Sequence, residues 1–131
     1  MTEIRNYQEA DWQKLLQLIL SEGDEWSDYS SEGTRESYRL AVKESSTFVA
    51  FAEDVLVGYC RCRIDGSFGV YICDLLVNQQ FRGRKIAQQL MEQVCKEYPE
   101  QIIYVMSDVD GFYESKGYRK EGSIFEVKIV E

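Results

Sequence analysis

The sequence predicts an α/β domain of the α+β kind: a mixed, mostly antiparallel central sheet flanked by helices, with one parallel strand pair. Three observations carry this. "TFVAFAE" (47–53) and "VLVGYCRCRID" (55–65) are runs rich in β-branched and aromatic residues, joined at Glu53-Asp54, which reads as an antiparallel hairpin. "GVYICDLLV" (69–77), an amphipathic stretch at 82–98 and "QIIYVMS" (101–107) form a strand-helix-strand crossover, which makes the two strands parallel. "EADWQKLLQLILSE" (9–22) carries Trp12, Leu15, Leu16, Ile19 and Leu20 at helical spacing, the mark of a helix laid on a sheet.

The remaining elements fall around these. "TEIRNY" (2–7) alternates and reads as the first strand, and Gly23 ends the first helix. Residues 23–33 are acidic, aromatic and turn-rich, and 34–45 read as a second helix with Thr34 as its N-cap. The nearly all-apolar stretch 69–77 suits a central strand. In the helix at 82–98, Ile86, Leu90, Val94 and Cys95 are expected inward, and Pro99 follows where a helix stops. Residues 108–116 read as a short helix ended by Gly117, and "SIFEVKIV" (123–130) alternates as the last strand.

The length of 131 residues suits a single domain, 1–131, with enough chain to bury a real core. The net charge of -8 argues against nucleic acid and against an anionic membrane surface as partners. The chain contains no histidine, which removes Ser-His-Asp and Cys-His catalysis and histidine metal ligation. Cys60, Cys62, Cys73 and Cys95 lack paired C-x-x-C knuckles, so reduced, buried thiols and no metal are expected, with a nucleophilic Cys73 as the alternative. The start of the chain has no signal pattern and no long apolar run occurs, so a cytoplasmic location is expected.

Against this acidic background, "FRGRKIAQQLM" (81–91) gathers Arg82, Arg84 and Lys85 around Gly83 at the start of a helix. Unpaired amides and the positive end of the dipole favour an anion there, and a glycine lets it approach the backbone. The preceding buried strand completes a strand, cationic glycine turn, helix unit suited to a pyrophosphate. A solvated helix start is the plain alternative, but cations are mildly unfavourable at that end, so their clustering calls for a cause. The Walker and dinucleotide glycine patterns are both missing, which disfavours nucleoside triphosphates and NAD.

The stretch "CDLLVNQQFRGRKIAQQLM" resembles the acetyl-coenzyme A signature of the GNAT N-acetyltransferase superfamily, Q/R-x-x-G-x-G/A. Gln80 through Arg84 fit its first five positions, Lys85 departs from the small sixth, and Ala87 fits a small position beyond. "GFYESKGYR" (111–119) is similar to the family's second anchor, and the element order also matches. The resemblance implies a parallel strand pair splayed at the cofactor site. It implies that backbone groups of Leu75, Leu76 and Val77 pair with the pantetheine arm. Amides of Arg82, Gly83, Arg84, Lys85, Ile86 and Ala87 would then hold the pyrophosphate. Tyr113 falls at the family's tyrosine, which protonates the departing coenzyme A thiolate. Lys85 bears on cofactor affinity more than on fold.

The implied activity is acetyl transfer from acetyl-CoA to a primary amine by direct attack in a ternary complex. A tyrosine with an ordinary pKa of about 10 can donate to a thiolate of similar basicity. For the base, Asp74 lies inside an apolar strand, while Glu22, Asp24, Glu25 and Tyr71 stay open. "SEGDEWSDYSSE" (21–32) joins carboxylates to Trp26 and Tyr29; Glu25 and Trp26 are the candidate contacts for a cationic small-molecule or peptide amine. The rival readings are a non-catalytic acyl-coenzyme A binding module and a protein-interaction domain. A monomer or homodimer is the family expectation.

Overall fold

The computed structural model describes residues 2–130. Hydrophobic periodicity resolves into β1 (Thr2–Asn6), α1 (Trp12–Ser21), α2 (Ser27–Ser30), α3 (Arg35–Glu44), β2 (Ser46–Ala52), β3 (Val55–Ile64), β4 (Val70–Val77), α4 (Ile86–Glu97), β5 (Ile103–Val105) and α5 (Asp110–Glu114). The sheet order is β1-β2-β3-β4-β5. The first three pairings are antiparallel, and β4 with β5 is parallel. This is the mixed sheet expected.

Helices cover both faces. On one side α1 and α3 bury Trp12, Leu15, Leu16, Ile19, Tyr38 and Val42 against Val49, Leu56, Tyr59 and Leu76. On the other, Ile86, Leu90, Met91 and Val94 of α4 pack on Phe48, Val57, Cys60, Cys62, Val70 and Ile72. Cys60 and Cys62 share a face as their spacing requires, with Sγ atoms 3.7 Å apart and both reduced.

Several expectations are corrected by packing. Leu20 is exposed and Leu18 is buried instead, because the helix turns its stripe toward the sheet. Cys95 is exposed, and Met91 fills the inward position. Residues 23–30 are not an irregular loop but a 3₁₀ turn (Gly23–Trp26) running into α2. Thr34 does precede α3, yet its hydroxyl pairs with Ser31 Oγ at 2.7 Å and caps no amide. The largest correction is at 123–130, which joins no ladder. A strand needs a partner edge, and β5 offers only Ile103–Val105. The apolar residues of that stretch stay outside: Phe125 is 81 % exposed and Val127 92 %.

The β1–α1 connection is pinned by charge. Asp11 is buried, accepts both Arg5 guanidinium donors at 2.8 Å and takes the Gln8 amide at 2.8 Å. The Arg5 hydrogen bond outweighs burial and holds the Asp11 carboxyl below the usual range. A depressed carboxylate pKa stabilises the fold above the unfolded-state value of about 4, and that contribution disappears as pH falls through the folded-state value. Asp11→Asn should therefore cost about 1.5–3 kcal/mol at pH 7. Urea denaturation should show the gap between the two proteins closing below about pH 4.

Candidate functional site

β4 is where the sheet changes its neighbours. β5 pairs with it only from Val70 to Ile72, and the ladder ends with the Met106 amide on the Ile72 carbonyl at 3.1 Å. Beyond that point Cys73–Val77 face β3 on one edge and lie outside the β5 ladder on the other. The register on β3 also slips here: Arg61 sits opposite Asp74 and Cys62 opposite Ile72, leaving Cys73 as the extra residue of a bulge. A bulge inverts the alternation. Val70 and Ile72 point to α4, whereas Leu76 belongs to the opposite core with Tyr38 and Tyr59. Asp74 is turned to that side too.

That turn puts a carboxylate among tyrosines. Asp74 is 6 % exposed. Its Oδ2 accepts from the Tyr38 hydroxyl at 2.6 Å and from Arg61 Nε at 2.5 Å, and Tyr38 and Tyr59 share a hydrogen bond at 2.7 Å. Tyr29 stacks on Tyr38 with centroids 4.4 Å apart, and Trp26 lies 5.5 Å from Tyr29 and 6.3 Å from Tyr59. Burial and the Asp74 charge push the Tyr38 and Tyr29 hydroxyls above their ordinary pKa. Burial alone would lower the Arg61 value, but the hydrogen bond and charge of Asp74 raise it. Tyr29 and Trp26 are half-buried at the top of this cluster, and Asp24, Glu25 and Asp28 are exposed around them. Sequence reasoning found Asp74, Trp26 and Tyr29 but missed Tyr38, Tyr59 and Arg61, which only the β3–β4 bulge and the packing of α3 on the sheet bring together.

After β4, a 3₁₀ turn (Gln79–Phe81), capped by the Asn78 side chain on the Gln80 amide at 2.9 Å, leads into the cationic stretch. The expected helix start at 82 is corrected: α4 begins at Ile86. Residues 82–85 form a turn in which Gly83 has φ +82° and Lys85 φ +64°. The signature's small sixth residue thus meets a backbone reason, because Lys85 is left-handed and not helical. A side chain costs about 1–2 kcal/mol there. Lys85→Gly should raise the melting temperature by roughly 2–4 °C, the relieved strain exceeding the entropy of the added glycine. Thermal unfolding without ligand measures this, and a lower midpoint would mean that the lysine side chain itself contributes.

Among the described residues, none accepts from the amides of Gly83, Arg84 and Lys85. The first intrahelical acceptor is the Lys85 carbonyl, which takes the Gln89 amide at 3.0 Å, and no side chain caps α4. Ile86, Ala87 and Gln88 therefore also present unpaired amides, as first-turn residues do. A Cβ built on Gly83 meets nothing within 4 Å, so the space over the turn is open. The three cations are used unequally. Arg82 donates to the Val77 carbonyl at 3.0 Å and to Glu22 at 2.8 Å, clipping the end of α1 to the turn, and its amide goes to Gln79. Arg84 lies over the Phe81 ring at 4.9 Å.

Tyr113, in α5, is half-buried against the α4-side core that also receives Leu75, Phe81 and Ala87. Burial comes first in raising its pKa, followed by the charge of Asp108. Its ring meets Phe112 edge-on at 5.1 Å and stacks with Tyr118 at 6.4 Å. The turn at 82–88, the unladdered edge of β4 and Tyr113 thus share one side of the sheet. Asp74 and the aromatic cluster approach from the other.

Residues 3–118 match the Acetyltransferase (GNAT) family. The chain belongs to that family. An uncharacterised N-acetyltransferase of Porphyra purpurea is 26 % identical over 93 residues, 63 % of this chain. The aligned region is 53 % of that relative, so the chain spans about half the length of the curated protein it matches. A GNAT family acetyltransferase from Streptococcus pneumoniae superposes with a TM-score of 0.76 at 22 % identity, covering 98 % of this chain and 100 % of that one. The aminoglycoside N-acetyltransferase AAC(6')-Iy, solved with the bisubstrate analogue CoA-S-monomethyl-acetylneamine, gives a TM-score of 0.76 at 16 % identity over 99 % of both chains. At these identities the structural likeness concerns the GNAT fold, and it extends over almost all of this chain. Among the described residues no helix is long and apolar enough to cross a membrane, and no cluster of metal-ligating side chains forms.

Proposed function

We propose that this GNAT protein transfers an acetyl group from acetyl-CoA to the primary amine of a cationic small molecule or peptide, by direct attack in a ternary complex. The observation that carries the reading is the junction of the unladdered β4 edge with the left-handed turn and its unpaired amides. Such a junction fits a ligand that is strand-like at one end and doubly anionic at the other. The amides of Gly83 through Ala87 suit the pyrophosphate, where helix-terminal N–H groups and the dipole act together. Leu75, Leu76 and Val77 suit the pantetheine arm, which adds to the sheet as a strand would, although the Val77 carbonyl already accepts from Arg82. Arg82 is then a brace of the turn, and Arg84 and Lys85 supply positive potential around it.

Acetyl-CoA supplies the activated acyl group and a thiolate leaving group. The chain's own residues handle the protons. Tyr113, held protonated by burial, donates to the sulfur as the C–S bond breaks. A backbone N–H of β4 polarises the thioester carbonyl. The amine nitrogen forms the new C–N bond, and its proton passes toward Asp74, which Tyr38 and Arg61 hold in place. The half-buried Tyr29 stacks on Tyr38, the tyrosine that donates to Asp74. The acidic rim of Asp24, Glu25 and Asp28 and the Trp26 ring favour a cationic acceptor by charge and cation–π contact.

Turnover of acetyl-CoA with a panel of polyamines, aminoglycosides and peptide amines, read as release of the coenzyme A thiol, tests this. Amine-dependent release supports the reading. Binding of acetyl-CoA with no release against any amine would leave a binding module in its place.

A further inference from the structure

Glu22 sits where a carboxylate has little reason to be. It caps the C-terminus of α1, the negative end of the helix dipole, and its side chain is only 5 % exposed. A buried charge needs a partner. Among the described residues this carboxylate has one, Arg82 Nη2 at 2.8 Å, from 60 positions along the chain. Arg82 Nε donates at 3.0 Å to the carbonyl of Val77, the last residue of β4. One guanidinium thus ties together the end of α1, the end of β4 and the turn at 82–85.

From this tie the chain runs directly into the acidic, aromatic segment. Gly23 follows Glu22 with φ +76° and starts the 3₁₀ turn Gly23–Trp26, which leads into α2. The far end of the segment is anchored on the aromatic cluster: Trp26 lies against Tyr59, Tyr29 stacks on Tyr38, and the buried Ser30 accepts two Arg35 donors at 3.1 and 2.8 Å on its carbonyl. The near end is held by the Glu22–Arg82 pair. Residues 23–30 are therefore slung between the tyrosines around Asp74 and the turn whose amides are unpaired. We propose that Glu22 is a positioning residue that couples the two halves of the site: through Arg82 it fixes residues 23–30 to the turn at 82–85, so that an anion seated on that turn orders the segment that carries Trp26 and Tyr29.

The coupling works through order and needs no new contact. An anion on the open amides fixes the turn, and a fixed turn fixes Arg82, Glu22 and the start of the segment. By charge alone, a carboxylate this near the turn weakens the hold on an anion, so its place there is explained by the tie and not by the potential it adds. The pairing also takes Glu22 out of the candidates for the general base. The inference rests on the acetyl-CoA reading for the ligand at the turn, while the tie between the two segments stands apart from that reading.

Amide hydrogen exchange on the full chain tests it, with 3′-phospho-ADP as the probe. This nucleotide half of coenzyme A carries the diphosphate but neither pantetheine nor acetyl group, so direct contact does not account for an effect at Trp26. In the wild type the probe should slow exchange about tenfold at 83–88 and about threefold at 23–30. Glu22→Gln should keep the first effect and lose the second. Without ligand, Glu22→Gln should speed exchange about threefold at 23–30 and leave β2 and β3 as in the wild type. Arg82→Gln and the double variant should match Glu22→Gln at 23–30, because the two residues act there as one unit. Slowing confined to 83–88 in the wild type would overturn the coupling and leave the cofactor placement standing. Slowing at neither segment would overturn the acetyl-CoA reading, and this inference with it. A Glu22→Gln protein that keeps the effect at 23–30 would remove Glu22 from the role, and one that exchanges faster throughout the sheet would make Glu22 a residue of general stability only.

Discussion

Tyr113→Phe should lower kcat by about 10²–10⁴-fold with little change in acetyl-CoA binding. The hydroxyl is the only atom removed, and the ring contacts to Phe112 and Tyr118 remain. The loss falls on a step in which a proton must reach sulfur as the C–S bond breaks, so it belongs to kcat and not to binding. Burial raises the Tyr113 pKa, and the proton is therefore retained at all pH values below about 10. In the wild type, a rate decline attributable to this group should begin only above that pH, and the variant should lack it. An unchanged kcat with the best amine of the panel would remove Tyr113 from the mechanism and leave the thiolate to be stabilised by the site's dipoles.

Gly83→Asp should abolish the rise in melting temperature that acetyl-CoA produces. The position has room, since a Cβ there meets nothing within 4 Å. Its φ of +82° makes any side chain strained, at about 1–2 kcal/mol, and aspartate tolerates the left-handed region better than most. The fold should survive, while a carboxylate stands at the amides proposed above to hold the pyrophosphate. At ligand concentrations about a hundredfold above Kd, the wild type gains about 2.7 kcal/mol by mass action. The variant should gain almost none of it. Gly83→Asn separates the causes, because it carries the same strain and shape without the charge. A ligand-induced shift retained by the asparagine variant and lost by the aspartate variant assigns the effect to electrostatics at the turn. A shift retained by both would move the pyrophosphate away from residues 83–87.

Much of this site could be read directly from the chain. The glycine among cations, the apolar strand before it and the amphipathic helix after it are local features, and local sequence carries them. Tyr113 became a candidate only through the resemblance of the short "GFYESKGYR" stretch to a family motif. The conformation of Lys85 was not legible, because φ depends on how the turn closes between β4 and α4, and lysine has other conformations open to it. The side-chain contacts of Arg82 were not legible either: Glu22 and the Val77 carbonyl are separated from it by 60 and five positions.

The sequence by itself determined the order and nature of nearly all the elements, the hairpin, the crossover and the anion-suited turn. Those depend on periodicity and on short-range turn chemistry, which act between residues close in the chain. Tertiary structure alone decided three things. The bulge at Cys73 turned Asp74 to the tyrosine side of the sheet, the ladder between β4 and β5 stopped after Ile72, and residues 123–130 stayed outside the fold. In each case the outcome depends on which backbone edge is available to pair. An alternating sequence states only that a strand can form, and the partner edge belongs to the whole assembly of strands.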